Sequence, residues 1–123
     1  MEIDTLQRNR LGAYGEAIAA RYLVREAGML VLDRNWHTAH GELDLVLRDG
    51  NILVACEVKT RGSLAKGEPL EAVTTEKIDR LKALIELWRE THRVRAREIR
   101  LDLVGVLLSR GQVQRIDHVR GVS

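Results

Sequence analysis

The segment from Leu43 to Thr60 constrains this chain more than any other. Leu43 to Arg48 reads as one strand, Asp49-Gly50 as a two-residue turn, and Ile52 to Thr60 as a longer, more buried strand. Asp-Gly between two β-like runs is a strong short-range hairpin signal. Side chains alternate across a strand, so residues two apart share a face. On the longer strand Ile52, Val54, Cys56 and Val58 point one way, and Leu53, Ala55, Glu57, Lys59 and Arg61 the other. With Asp49-Gly50 as the turn, Asp44 faces Ala55 and Glu42 faces Glu57. The pattern predicts that Glu42, Asp44, Glu57 and Lys59 emerge on one face.

Carboxylates opposed across a sheet repel, and near a core they also lose hydration. Either the neighbouring Lys59 ammonium or a bound divalent cation would offset this. A hard cation such as Mg²⁺ takes a few carboxylate oxygens, keeps several waters and shares oxygens with a phosphate substrate. Asp44 and Glu57 would then hold the ion against a phosphodiester, with Lys59 orienting or deprotonating a water or neutralising charge. Glu16 is the single acid in a helical stripe of small residues, Gly12, Glu16, Ala19 and Ala20, a face able to approach a sheet closely. It is the candidate that completes the site. An E-x-K triplet alone is commonly a solvated charge pair; the combination of residues carries the reading.

The remaining chain supplies a scaffold. Residues 1–10 are polar and read as an N-terminal arm, with one domain over 11–123. Leu11, Tyr14, Ile18 and Tyr22 recur at helical spacing up to Gly28. Val31 to Trp36 reads as a strand and His37 to His40 as a connection. Arg61 to Val73, with the only proline, is a loop. Thr74 caps a second helix whose stripe is Ile78, Leu81, Leu84, Ile85 and Trp88. Strands over Leu101–Leu108 and Val113–Val119 follow, turned at Gly111. The order is α-β-β-β-α-β-β, with the second helix crossing between parallel strands. Leu-Asp-Leu-Val occurs twice, at 43–46 and 101–104, too short a match to make a repeat.

At 123 residues, 45% apolar and 31% charged, the chain fits one soluble globular domain with a core of Leu, Ile, Val and Ala, since it has no Phe. A single cysteine excludes an internal disulfide framework and a multi-cysteine zinc site. No stretch reads as a signal peptide or membrane span, so a cytoplasmic protein is expected. The net charge of +2 permits nucleic-acid binding without demanding it.

The succession Gly12-x-x-Gly15-Glu16, Asn35, Gly41-Glu42-Leu43-Asp44, Glu57-Val58-Lys59-x-Arg61, Lys77 and Leu101-Asp102-Leu103-Val104 resembles the YraN family of small predicted endonucleases, over about Leu11 to His118. That family is similar to the restriction-endonuclease-like superfamily and its archaeal Holliday junction resolvases. The resemblance implies an α/β fold with an αβββαβ core, its mixed central sheet flanked by helices, and Mg²⁺- or Mn²⁺-dependent phosphodiester hydrolysis. By position it implies that Asp44 and Glu57 are metal ligands, Lys59 the catalytic lysine and Glu16 the acid of the first helix.

The remaining candidates are weaker. His37, His40 and Glu42 lack a third good zinc ligand. Cys56 is expected to point into the core, and His92, His118 and Asp102 to serve structure. Arg61, Lys77, Arg93 and Arg95 are the candidate phosphate contacts, because backbone contacts supply most sequence-independent affinity. The expected activity is hydrolysis of DNA, including branched or structured DNA, and two strands would be within reach of a homodimer. The alternative is a non-catalytic nucleic-acid-binding module or accessory protein that keeps the fold as a scaffold.

Overall fold

Leu, Val and Ile dominate residues 43–47 and 52–58, and these runs lie in the middle of the sheet of the computed structural model, which describes residues 5–122. The elements are α1 (Thr5–Arg25), β1 (Leu30–Thr38), β2 (Gly41–Asp49), β3 (Ile52–Arg61), α2 (Thr75–His92), β4 (Glu98–Ser109) and β5 (Gln112–Arg120). The strands lie in the order β1-β2-β3-β4-β5. β3 and β4 run parallel with α2 as their crossover, and the other neighbours are antiparallel. This is the expected mixed sheet flanked by helices.

Both faces of the sheet are covered. Ala19, Ala20 and Leu23 of α1 pack with Leu45, Leu47, Val54, Cys56, Val58, Val104 and Val106 on one face. Leu81, Leu84, Ile85 and Trp88 of α2 pack with Val46, Leu53, Ala55 and Leu101 on the other. The alternation read along β3 thus divides its side chains between the two helices, and Cys56 is buried as expected. The close approach of α1 falls at Gly15 rather than Gly12. A Cβ at Gly15 would lie 1.8 Å from Thr60 Oγ1, whereas one at Gly12 would meet nothing within 4 Å.

Several boundaries differ from the sequence reading. Residues 5–10, expected in the polar arm, are already helical, and residues 7–10 are polar and exposed. Residues 1–4 lie outside the described residues. β1 runs on through Thr38, into the stretch expected to be a connection. The hairpin turn is Gly50-Asn51, since Asp49 pairs with Ile52 and Gly50 has φ 61. Primed hairpin turns want a left-handed residue at their first central position, and Gly supplies it more cheaply than Asp. The loop after β3 contains a 3-10 turn, Pro69–Ala72, whose Pro69 and Leu70 pack over Gly105. Thr74 caps α2, its hydroxyl accepting from Lys77 N–H at 3.2 Å. No helix among the described residues is long and apolar enough to cross a membrane.

Candidate metal centre

The shifted turn changes partners without changing faces. Pairing between β2 and β3 is regular from Asp49↔Ile52 to Leu45↔Cys56, so the next step sets Asp44 against Glu57 rather than Ala55. The ladder stops there. Asp44 turns its carboxylate toward β3, where Oδ2 accepts from Val58 N–H at 2.9 Å, in place of a strand-to-strand bond. Asp44 is 9% exposed and Glu57 is 4% exposed.

β1 and β2 change faces at the same level. Asp33 pairs with Val46 of the α2-side core, and Trp36 pairs with Leu43 of that same core. Strict alternation would separate them by face; Asn35, at φ 51, takes up the difference. Glu42 is thereby carried toward α1 instead of standing opposite Glu57. Ligand oxygens of Glu16, Glu42 and Asp44 all lie within 4.8 Å of one another. Asn35, its amide oriented by its partners, donates to Glu16 Oε2 at 2.9 Å and Glu42 Oε1 at 3.1 Å.

Of the three expected metal ligands, Glu16 and Asp44 fall in this group of converging oxygens. Glu57 does not; it adjoins the group through Asp44, and its place is taken by Glu42, which the hairpin pattern had singled out. Glu57 Oε2 lies 3.0 Å from Lys77 Nζ, an ion pair outside hydrogen-bond geometry that leaves a buried acceptor unsatisfied. Lys77, expected against phosphate, is thus engaged inside the protein. This partner was out of reach of the sequence pattern, because only the packing of α2 brings residue 77 over β3.

The electrostatics record the crowding. Burial first, then the hydrogen bond and charge of Glu57, push the Asp44 carboxyl up to about 9. Burial opposes ionisation of Glu57 as well, but the hydrogen bond from Asp44 and the ammoniums of Lys77 and Lys59 hold it below its ordinary value. With Asp44 raised and Glu57 lowered, a proton on the metal-free pair is favoured on Asp44 near neutral pH. Burial and the charge of Glu42 raise Glu16, against the Asn35 hydrogen bond. Several acids held together at this energetic cost are a donor set that suits a hard divalent cation.

Lys59 and Arg61 follow Glu57 along β3 and are half-buried; Arg61 Nε is buried without a partner. Arg93 and Arg95 are not brought to this site. Arg93 ends α2 in the left-handed conformation, and Arg95 lines a hollow of about 240 Å³ with Arg48, Asn51 and Arg97 beside the hairpin turn. At about 3.3 Å per residue, that end of β3 is roughly 23 Å from Lys59. Of the zinc candidates, His37 has its Nδ1 3.6 Å from Glu42 Oε2.

A mixed five-stranded sheet, helices on both faces and acids gathered around its central hairpin give this chain a restriction-endonuclease-like core. The chain belongs to the uncharacterised protein family UPF0102, the YraN family, whose model matches residues 15–106. It is 53% identical over 115 residues to a UPF0102 protein of Nocardioides sp., covering 94% of this chain and 92% of that one. A UPF0102 protein of Beutenbergia cavernae is 51% identical over 94% of this chain and 97% of its own length. One of Streptomyces coelicolor is 48% identical over 98% and 93%. These names carry no activity.

Proposed function

We propose that this chain hydrolyses phosphodiester bonds in DNA using a divalent cation, Mg²⁺ or Mn²⁺. The observation that carries the reading is the convergence of Glu16, Glu42 and Asp44 oxygens within 4.8 Å, next to a buried Glu57 two residues from Lys59. A bound cation supplies Lewis-acid activation of a phosphoryl oxygen and of a water. Glu16, Glu42 and Asp44 bind the ion, Asp44 giving up the proton it shares with Glu57 and staying fixed by Val58 N–H. Lys59 neutralises charge that builds on the phosphoryl group or orients the attacking water. Arg61 holds a flanking phosphate, while Lys77 stays paired with Glu57. Arg93 and Arg95 serve as distant backbone contacts.

No described element projects as a reader of base edges, which favours recognition of shape and backbone, as in branched or structured DNA. Two copies would engage two strands. Such substrates place the protein in the cytoplasm.

The test is incubation of purified protein with linear, flapped and four-way-junction DNA in Mg²⁺, Mn²⁺ or EDTA, beside Lys59→Ala and Asp44→Asn. Metal-dependent cutting reduced at least a hundredfold in both variants is expected. Cutting that survives Lys59→Ala unchanged would defeat the site assignment. DNA binding without cutting, equal in wild type and Asp44→Asn, would instead establish the non-catalytic scaffold.

A further inference from the structure

Among the described residues, three other than glycine have positive φ: Asn35, Arg93 and Arg110. Arg93 caps a helix and Arg110 precedes Gly111 in a hairpin turn, where left-handed backbone is routine. Asn35 is different. It sits inside the edge strand β1, with regular pairs on both sides, Arg34↔Leu45 and Trp36↔Leu43. A left-handed residue within a strand is strained, and Asn is among the side chains that bear it best. What the strain achieves is visible in the side chain. It brings one amide between Glu16, which arrives on α1, and Glu42, which arrives on β2.

We propose that Asn35 is a positioning residue of the acidic site, its amide tying Glu16 to Glu42 and so setting the spacing of two of the three carboxylates that receive the cation. This rests on the metal-binding reading of the site. An amide suits the task for two reasons. Its nitrogen has two N–H donors, one for each carboxylate. It is also uncharged, so it holds the acids together without competing as a counter-ion, which an ammonium or guanidinium in the same place would do. Each carboxylate keeps one oxygen uninvolved with the amide. The group that orients a metal ligand is a recognised determinant of affinity, and its loss weakens binding by about ten- to a hundredfold. Asn35 is exposed, so water competes for its donors and the lower end of that range applies.

The test uses Mn²⁺ alone as the probe, titrated calorimetrically into wild type, Asn35→Gly, Glu42→Gln and the double variant, with thermal unfolding of each in EDTA. Asn35→Gly keeps the left-handed backbone and removes only the amide. Its metal-free unfolding midpoint is expected within about 2 °C of wild type, with Mn²⁺ affinity about tenfold weaker. On the Glu42→Gln background the same substitution is expected to cost less than threefold, because one of the tied carboxylates is gone. If Asn35→Gly binds Mn²⁺ as tightly as wild type, the positioning role is overturned while the metal site stands. If wild type binds no Mn²⁺, the metal reading falls and this inference with it. Should Asn35→Gly fail to fold, Asn35→Ser, whose hydroxyl is too short to span both carboxylates, is read by the same criteria.

Discussion

The tetrapeptide Leu-Asp-Leu-Val occurs on β2 and again on β4, and its two aspartates meet opposite surroundings. Asp102, with no exposed surface, is encircled by donors. Arg100 reaches it with Nε at 2.8 Å and Nη2 at 3.1 Å, His118 Nε2 lies at 2.9 Å, and Gly121 N–H donates at 3.2 Å. Burial alone would raise its carboxyl, but Arg100, His118 and Gly121 hold it below the ordinary value. Asp44 has one backbone donor, Val58, and otherwise faces acids. A buried carboxylate that serves the fold is given its counter-charge by the chain. The one on β2 is left without, and its neighbours are further carboxylates. The shared tetrapeptide therefore does not decide the role; Arg100, two residues before Asp102, and the partners brought by β3, β5 and α1 do.

Three substitutions would break or sharpen this contrast. The largest effect is expected at the satisfied aspartate. Asp102→Ala strips a half-buried Arg100 of its bidentate partner and leaves His118 unpaired, and should destabilise the protein by about 3 kcal/mol in urea unfolding. No loss of stability there would erase the distinction between the two sites.

Asp44→Asn should act in the opposite direction. The folded carboxyl, at about 9, lies above its ordinary 3.8, so folding takes up a proton. The stability contributed by that protonated form is complete below about pH 4 and is lost as pH rises toward 9. Glu57, held low, acts elsewhere, its contribution being lost as pH falls below its ordinary 4.5. In EDTA at pH 8 the Asn variant should therefore be more stable than wild type by on the order of 1–2 kcal/mol, a fraction of the full linkage because the amide replaces the shared proton imperfectly, and the gap closes near pH 4. Equal unfolding curves at both pH values would show that Asp44 carries no such strain. In Mn²⁺ the order should reverse, because only wild type gains from the ion.

The smallest effect tests the support behind Glu57. Thr74→Ala removes the cap at the α2 terminus that carries Lys77. It should cost about 1 kcal/mol by thermal unfolding. A cost indistinguishable from zero would mean that packing of α2 holds Lys77 on Glu57 without the cap.

How far the sequence reveals such a site depends on how each residue is placed. The faces of Asp44, Glu57 and Cys56 follow from strand parity, and parity survives a hairpin turn displaced by one position on each strand. Partner identity does not survive it, which is why Asp44 stands at Glu57 rather than at Ala55. The swing of Glu42 toward α1 was illegible, because it depends on one left-handed residue in the strand beside it. The Lys77 contact was hidden for another reason: α2 must first pack over β3. At the N-terminus, the polar run Gln7 to Arg10 interrupts the apolar spacing before Leu11, so periodicity does not reach back to the helix start at Thr5. The α2 stripe and the Thr74 cap had clear signals and lie where the spacing put them.

The contact between Gly15 and Thr60 has a mechanical consequence. Gly15 is the midpoint of α1, ten residues from either end, and the helix touches the sheet there with no room for a methyl group. Rocking of the helix would pivot about that point, so displacement grows toward Thr5 and Arg25 and is least beside the fulcrum. Glu16 is the next residue. The acid contributed by the helix thus rides on the part of the rod that moves least.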